Sequence, residues 1–244
     1  MKEYASLTTG QMDFLIRALD GETSTIESQQ DPMPLPVDVD PMLVQQAVGF
    51  LRRNNVQIAP RQQWPTGGMP ASGVSGKLAT SLQASPGRAL CVWGDAGWGD
   101  LVRQGKYRDG TFTDELVEAC AEMVRNWDPQ PTPRWVTCIP SLRHTSLVSD
   151  FARRLAAALN LEFIPVLEKT EARPEQKGMA NSDHQAWNVD GAFAVRGGVL
   201  PTPVLLVDDM VDSRWTFTVA AWLLRSHGSG EVFPLALASS GVAP

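Results

Sequence analysis

Four consecutive apolar residues, Val204, Leu205, Leu206 and Val207, run directly into two carboxylates, Asp208 and Asp209. No other junction constrains the chain as much. A run without polar alternation is a strand covered on both faces, the habit of inner strands in parallel sheets. The acids then fall at the carboxyl end of a central strand, followed by a short loop and a helix from about Thr216. In open parallel sheets, ligands sit beyond those strand ends. Loop N–H groups and a helix N-terminus suit a phosphate, and ionised carboxylates accept hydrogen bonds from sugar hydroxyls.

The remainder of the chain from about residue 88 supplies the partners such a strand needs. RALCVWG, WVTCIP, LEFIPVL, GAFAV and VFPLALA read as strands. TDELVEACAEMVRNW with Thr113 as N-cap, LVSDFARRLAAALN ending at Asn160, and TFTVAAWLLRSHG stopped by Gly228 read as helices. Strands alternating with helices of this length predict an α/β fold, a mainly parallel sheet with helices on both faces.

The first third differs. Residues 1–20 have helical spacing at Met12, Leu15, Ile16 and Leu19, with Gly21 as a stop. Gly21 to Pro41 is rich in proline and acid and cannot bury enough surface to fold alone. A second helix is expected over 41–54, then a short strand in VQIAP. The expected organisation is therefore a small helical segment at 1–58, a loop-rich connector at 59–87 and the α/β domain at 88–244.

Composition narrows the function. The charge of −6, from 21 basic and 27 acidic residues, argues against nucleic acid binding as the main work of the chain alone. No run reaches the roughly 18–20 apolar residues of a membrane helix, and no leader pattern opens the chain. Cys91, Cys120 and Cys138 are scattered, with no CxxC knuckle. A cytoplasmic protein is expected, without a zinc site.

PVLLVDDMVDSRWT resembles the ribose-phosphate signature of type I phosphoribosyltransferases. The resemblance implies that Asp208 and Asp209 are the catalytic acids holding the ribose 2′- and 3′-hydroxyls of phosphoribosyl pyrophosphate. It makes Met210, Val211, Asp212, Ser213, Arg214, Trp215 and Thr216 the 5′-phosphate loop, with Mg²⁺ carried on the pyrophosphate rather than on protein side chains. The chain departs from the family's Thr-Thr-Gly loop with Asp212, Ser213 and Arg214. Asp212 and Ser213 are also residue types that cap helices. LVRQGKYRDG (101–110), CIPSLR (138–143) and PEQKGMANSDHQAWNVDGAF (174–193) are similar to elements of the ComF-like branch of that fold. In that branch CIPSLR marks the pyrophosphate end, which makes Arg143 its candidate contact, and 174–193 the flap. Lys106 and Tyr107 read as packing residues against the sheet.

MKEYASLTTGQMDFLIRALDG resembles the helix of the zinc-binding subdomain of RecQ-family DNA helicases, without its cysteines. FLRRNNVQIAPRQQWPTGG and GRALCVWGDAGWGDLVRQGKYRDG resemble the tail of certain bacterial members. This second resemblance implies an accessory module of an ATP-dependent helicase in DNA repair or recombination, meeting DNA through a motor. The chain has no GxxxxGK[ST] loop of its own. The alternative implied is an active, nucleotide-binding phosphoribosyltransferase using phosphoribosyl pyrophosphate and Mg²⁺. Arg52, Arg53 and Arg61 form a basic cluster that reads as a solvated helix end, and Trp93 and Trp98 as packing anchors.

Overall fold

The computed structural model describes residues 41–141, 145–170 and 182–240. The expected helix at 1–20, the linker after it, Arg143 and residues 174–181 of the flap lie outside the described residues. In chain order the main elements are α1 (Pro41–Arg53), β1 (Val56–Ile58), β2 (Gly87–Val92), α2 (Gly99–Gln104), α3 (Asp114–Trp127) and β3 (Trp135–Cys138). They continue with α4 (Leu147–Ala158), β4 (Glu162–Phe163), β5 (Leu167–Lys169), α5 (Ser182–Trp187) and β6 (Phe193–Val195). β7 (Val204–Val211), α6 (Trp215–Ser226) and β8 (Val232–Ser239) close the described chain.

Six strands form one sheet in the order β1-β2-β8-β7-β3-β4, parallel throughout except for β1, which is antiparallel to β2. The fold class is the expected one, a mainly parallel sheet flanked by helices. The innermost strand carries the apolar run because each face has its own core. Leu205 and Val207 pack with Val136, Cys138 and the buried sides of α3 and α4. Val204 and Leu206 pack with Trp135 and the buried side of α6.

Two expectations change in detail. LEFIPVL is two elements: β4 joins the sheet edge, while β5 pairs antiparallel with β6 outside the main sheet. Pro165 between them interrupts the run. The connector at 59–87 carries isolated bridges that link Gln63 with Lys77 and Met69 with Val74. It is nonetheless packed, since Trp64, Met69 and Leu78 are buried in the α6-side core.

A buried carboxylate holds that stretch in place. Asp190, 3 % exposed, accepts hydrogen bonds from the N–H groups of Ala71 (2.8 Å) and Ser72 (2.9 Å) and from Ser72 Oγ (2.6 Å). Removing it leaves three donors without their acceptor. Hydrogen bonds to charged groups contribute about 1.5–3 kcal/mol, so Asp190→Ala is expected to lower stability by about 2–3 kcal/mol, read as a lower urea midpoint.

At the other end, Trp98 anchors α1 as expected. Its Nε1 donates to Arg52 O (3.0 Å), and the Arg52 guanidinium lies 4.3 Å from its ring centroid while also pairing with Glu115 (3.0 Å). Trp93 packs elsewhere, edge-on to Tyr107 at 5.8 Å. The three arginines therefore form no common basic face: Arg52 and Arg61 are each spent on a tryptophan, the latter on Trp215.

Candidate functional site

The sheet creates a crevice at the acidic pair. From β3 the chain passes through α4 to β4, and from β7 it passes through α6 to β8 on the other side. The order of strands thus reverses between β3 and β7, the position where open α/β sheets bind ligands. Pairing with β3 stops at Cys138–Val207, whereas pairing with β8 runs on to Val211–Ser239. Asp208 and Asp209 are consequently strand residues rather than loop residues, on the stretch of β7 with one edge open. The sequence places the strand end at the acids, two residues early, because the apolar run stops before them, while the ladder to β8 continues to Val211.

Neither acid points into bulk solvent. Asp208 and Asp209 are both partly buried. Asp208 Oδ1 accepts from the Asp209 N–H at 2.8 Å. Asp209 Oδ2 pairs with Lys106 Nζ at 2.9 Å, the two side chains being 14 % and 18 % exposed. One oxygen of each carboxylate is thereby engaged, and the other has no partner among the described residues. Burial first, and then the charge of Asp209, push the Asp208 carboxyl well above the usual carboxylate range. The Asp209 N–H and the positive charges of Lys106 and Lys169 pull in the opposite direction.

The loop beyond the strand is braced from outside. Arg61 Nε donates to Ser213 O at 2.8 Å, and its guanidinium sits 3.9 Å from the Trp215 ring centroid. Trp215 is 2 % exposed and belongs to the core. Arg214 takes the glycine-like conformation that the sequence appeared to have lost, with φ of 69°, and its side chain reaches away to Ala59 O at 3.3 Å. The loop is therefore not filled by Arg214 or Trp215. Asp212 and Ser213 do not cap α6: Arg214 stands at the N-cap, with no side-chain capping bond. Asp212 instead accepts from Ser240 Oγ (2.7 Å) and Gln185 Nε2 (3.4 Å). Among the described residues, the N–H groups of Asp212, Ser213 and Arg214 have no backbone carbonyl partner. Met210 and Val211 belong to β7, and Thr216 to the first turn of α6.

A cavity of about 240 Å³ opens at the carboxyl end of β3, with Ser141, Thr145, Ser149, Arg153 and Phe163 among its lining residues. Cys138 lines it too. Burial, with a smaller contribution from the charge of Asp208, raises its thiol to about 12. Cys138 is thus an unreactive wall of the cavity and a marker of how close the acidic pair lies. Drug-sized ligands fill roughly 300–1,000 Å³, so this space suits one phosphate group or one ring.

Lys106, Lys169 and Arg153 are the functional candidates that sequence reasoning missed. Lys106 lies more than a hundred positions before the acid it pairs with, and no local pattern relates the two. Among the described residues, no group of three or more His, Cys, Asp or Glu side chains comes together to hold a metal ion.

No family model matches the chain, and no curated protein does. Among solved structures it is similar to adenine phosphoribosyltransferases. The enzyme of Saccharomyces cerevisiae, complexed with D-2,5-dideoxy-2,5-imino-altritol 1,6-bisphosphate and adenine, is 19 % identical over 51 % of this chain and 68 % of that one, with a TM-score of 0.35. That of Leishmania tarentolae is 16 % identical over 54 % and 74 %, with a TM-score of 0.35. A third adenine phosphoribosyltransferase is 14 % identical over 78 % and 89 %, with a TM-score of 0.37. At these values the likeness is coarse, and what the site can do follows from its own residues.

Proposed function

We propose that the chain is a phosphoribosyltransferase-like protein that binds a phosphorylated ribose at the end of β7. The observation that carries this reading is the acidic pair at the sheet's switch point, with one spare acceptor oxygen on each carboxylate. Two neighbouring acceptors match two neighbouring hydroxyls. The amides of Asp212, Ser213 and Arg214 then face the phosphate, since successive N–H groups ahead of a helix form an anion-binding nest. Arg153, which lines the cavity, is a further candidate for the pyrophosphate end beside Arg143.

The cavity beside the pair favours a second reading, an active transferase using phosphoribosyl pyrophosphate and Mg²⁺. The bond from the anomeric carbon to pyrophosphate breaks, with the electron pair leaving on pyrophosphate. An acceptor's lone pair forms the new bond, and the acceptor loses a proton. Negative charge at Asp208 and Asp209 stabilises the positive charge that develops on the sugar. The donor set fits a cation that arrives with the pyrophosphate, because the described side chains alone bring together too few ligands.

The wider setting belongs to the same proposal. A place behind the motor of a RecQ-type helicase rests on the resemblance of residues 1–21, 50–68 and 87–110, and the ComF-like assignment on residues 101–110, 138–143 and 174–193. A helicase motor encoded in frame upstream of the chain would support it.

Calorimetry tests the ligand reading. Phosphoribosyl pyrophosphate with Mg²⁺ is expected to give a saturable, single-site heat that vanishes in Asp208→Asn plus Asp209→Asn. An unaltered isotherm in the double variant would remove the acids from the site. Pyrophosphate release on adding nucleobases separates the transferase from the binder.

A further inference from the structure

The ribose-phosphate reading uses the acidic pair but leaves unexplained the cation built against it. Lys106 sits on a short π-helical turn, Gly105–Asp109, that directly follows α2. Such turns are uncommon and concentrate at functional sites. This one is locked from two sides. A Cβ on Gly105 would lie 2.7 Å from Thr111 O and 2.7 Å from Phe112 Cδ1, so only glycine permits the approach. On the other side Tyr107 meets Trp93 edge-on. The turn delivers Lys106 Nζ to Asp209 Oδ2 at 2.9 Å and within 3.6 Å of Met210 Sδ, both on β7. Tyr107, the next residue, is 70 % exposed. The lysine is therefore turned inward by the local backbone rather than by a general burial of the segment.

We propose that Lys106 is a positioning residue for the acidic pair, fixing the Asp209 carboxylate so that the remaining oxygens of Asp208 and Asp209 present together to a vicinal diol. This rests on the ribose-phosphate reading and adds to it the residue that sets the pair's geometry and charge. With both partners mostly buried, the pair is only weakly screened by solvent. Asp208 feels the same cation, since Lys106 from the π-turn and Lys169 from β5 are the positive charges that offset burial and Asp209 around it. Among the described residues, Cys138 on β3 and Arg153 of α4 are the further titratable and charged groups on that side. Losing Lys106 leaves the Asp209 N–H and Lys169 to offset burial and the charge of Asp209, which moves Asp208 protonation to higher pH. A protonated Asp208 presents a donor where a hydroxyl needs an acceptor.

The experiment uses the full chain as wild type, Lys106→Met, Lys106→Arg and, as a charge control on neighbouring α2, Arg103→Met, whose partner is the exposed Asp100. Melting curves first establish that each is folded. Calorimetry with phosphoribosyl pyrophosphate and Mg²⁺ is run across the acid and neutral range, and the Asp208 carboxyl is titrated by carbon NMR without ligand. Lys106→Met is expected to lose at least about tenfold in affinity at neutral pH, the loss typical of one charge-assisted hydrogen bond. Its acid limb of binding and its Asp208 titration are expected to move to higher pH together. Lys106→Arg restores the limb and most of the affinity, and Arg103→Met changes neither. Wild-type affinity with an unmoved limb in Lys106→Met overturns the proposal, as does an arginine variant no better than methionine. Should the wild type bind no ligand, the ribose-phosphate reading fails. The ligand-free titration then decides for Lys106 alone, an Asp208 curve moved upward upholding its hold on the pair and an unmoved curve overturning it.

Discussion

Asp208→Asn is expected to melt at a higher temperature than the wild-type chain at neutral pH and to lose at least about tenfold in affinity for phosphoribosyl pyrophosphate, the cost of one charge-assisted hydrogen bond. Both effects have one cause. In the folded chain the Asp208 carboxyl is held well above its ordinary range, by burial first and by Asp209 second, so it binds a proton more readily folded than unfolded. Below the unfolded value of about 3.9 both states are protonated and Asp208 costs nothing. Stability is lost as the pH rises from there to the raised folded value, and above it the whole cost is present. Asparagine removes the charge while its Oδ1 still accepts from the residue 209 N–H, the bond seen at 2.8 Å. Calorimetric melting of both proteins at neutral and at acid pH checks this. The gap is expected to be largest at neutral pH and to close in acid. A variant less stable than wild type at neutral pH would contradict it. A residue that destabilises its own fold is what a binding carboxylate at an open strand edge looks like.

Trp215→Ala carries the second large effect. The ring is almost wholly buried among the α6-side core residues and forms the platform under Arg61, which in turn holds Ser213 O. Truncating a buried aromatic costs about 3–5 kcal/mol. For a chain of this size that is a fall of roughly 6–20 °C in melting temperature, at about 2–4 °C per kcal/mol. The loss reaches the loop, because Arg61 no longer has the surface that aims its Nε at residue 213. Ligand affinity is therefore expected to fall as well, whereas Trp215→Phe keeps a ring and recovers most of both. An alanine variant within about 1 kcal/mol of wild type, well below the cost expected for a buried aromatic, would show that Trp215 is not part of this brace.

The alternation from residue 88 onward made the sheet legible because each strand and helix announces itself within its own few residues. The acidic pair was legible for the same reason: the apolar run and the two aspartates are contiguous. What was hidden depended on separation in the chain. Lys106 reaches Asp209 and Arg61 reaches Ser213 from more than a hundred residues away, and the fold alone brings them together. Arg214 misled in a different way. It stands as a departure from the family's glycine-bearing loop, yet its backbone takes a left-handed conformation, φ 69°, with the guanidinium turned to Ala59 O. Asp212 likewise suggested a cap, yet its hydroxyl partner, Ser240, comes from the end of β8. The connector at 59–87 read as loop because its glycines and prolines dominate its composition, and only three-dimensional packing reveals Trp64, Met69 and Leu78 as core.

The proposed function requires that the turn after β7 receive the phosphate of a bound sugar. Amide NMR of the wild-type chain during addition of phosphoribosyl pyrophosphate with Mg²⁺ asks this directly. The signals of Asp209 through Thr216 are expected to move first and furthest, with those of Gly105–Asp109 following. Saturating shifts confined to other parts of the chain, or a turn whose signals stay fixed at millimolar ligand, would contradict it.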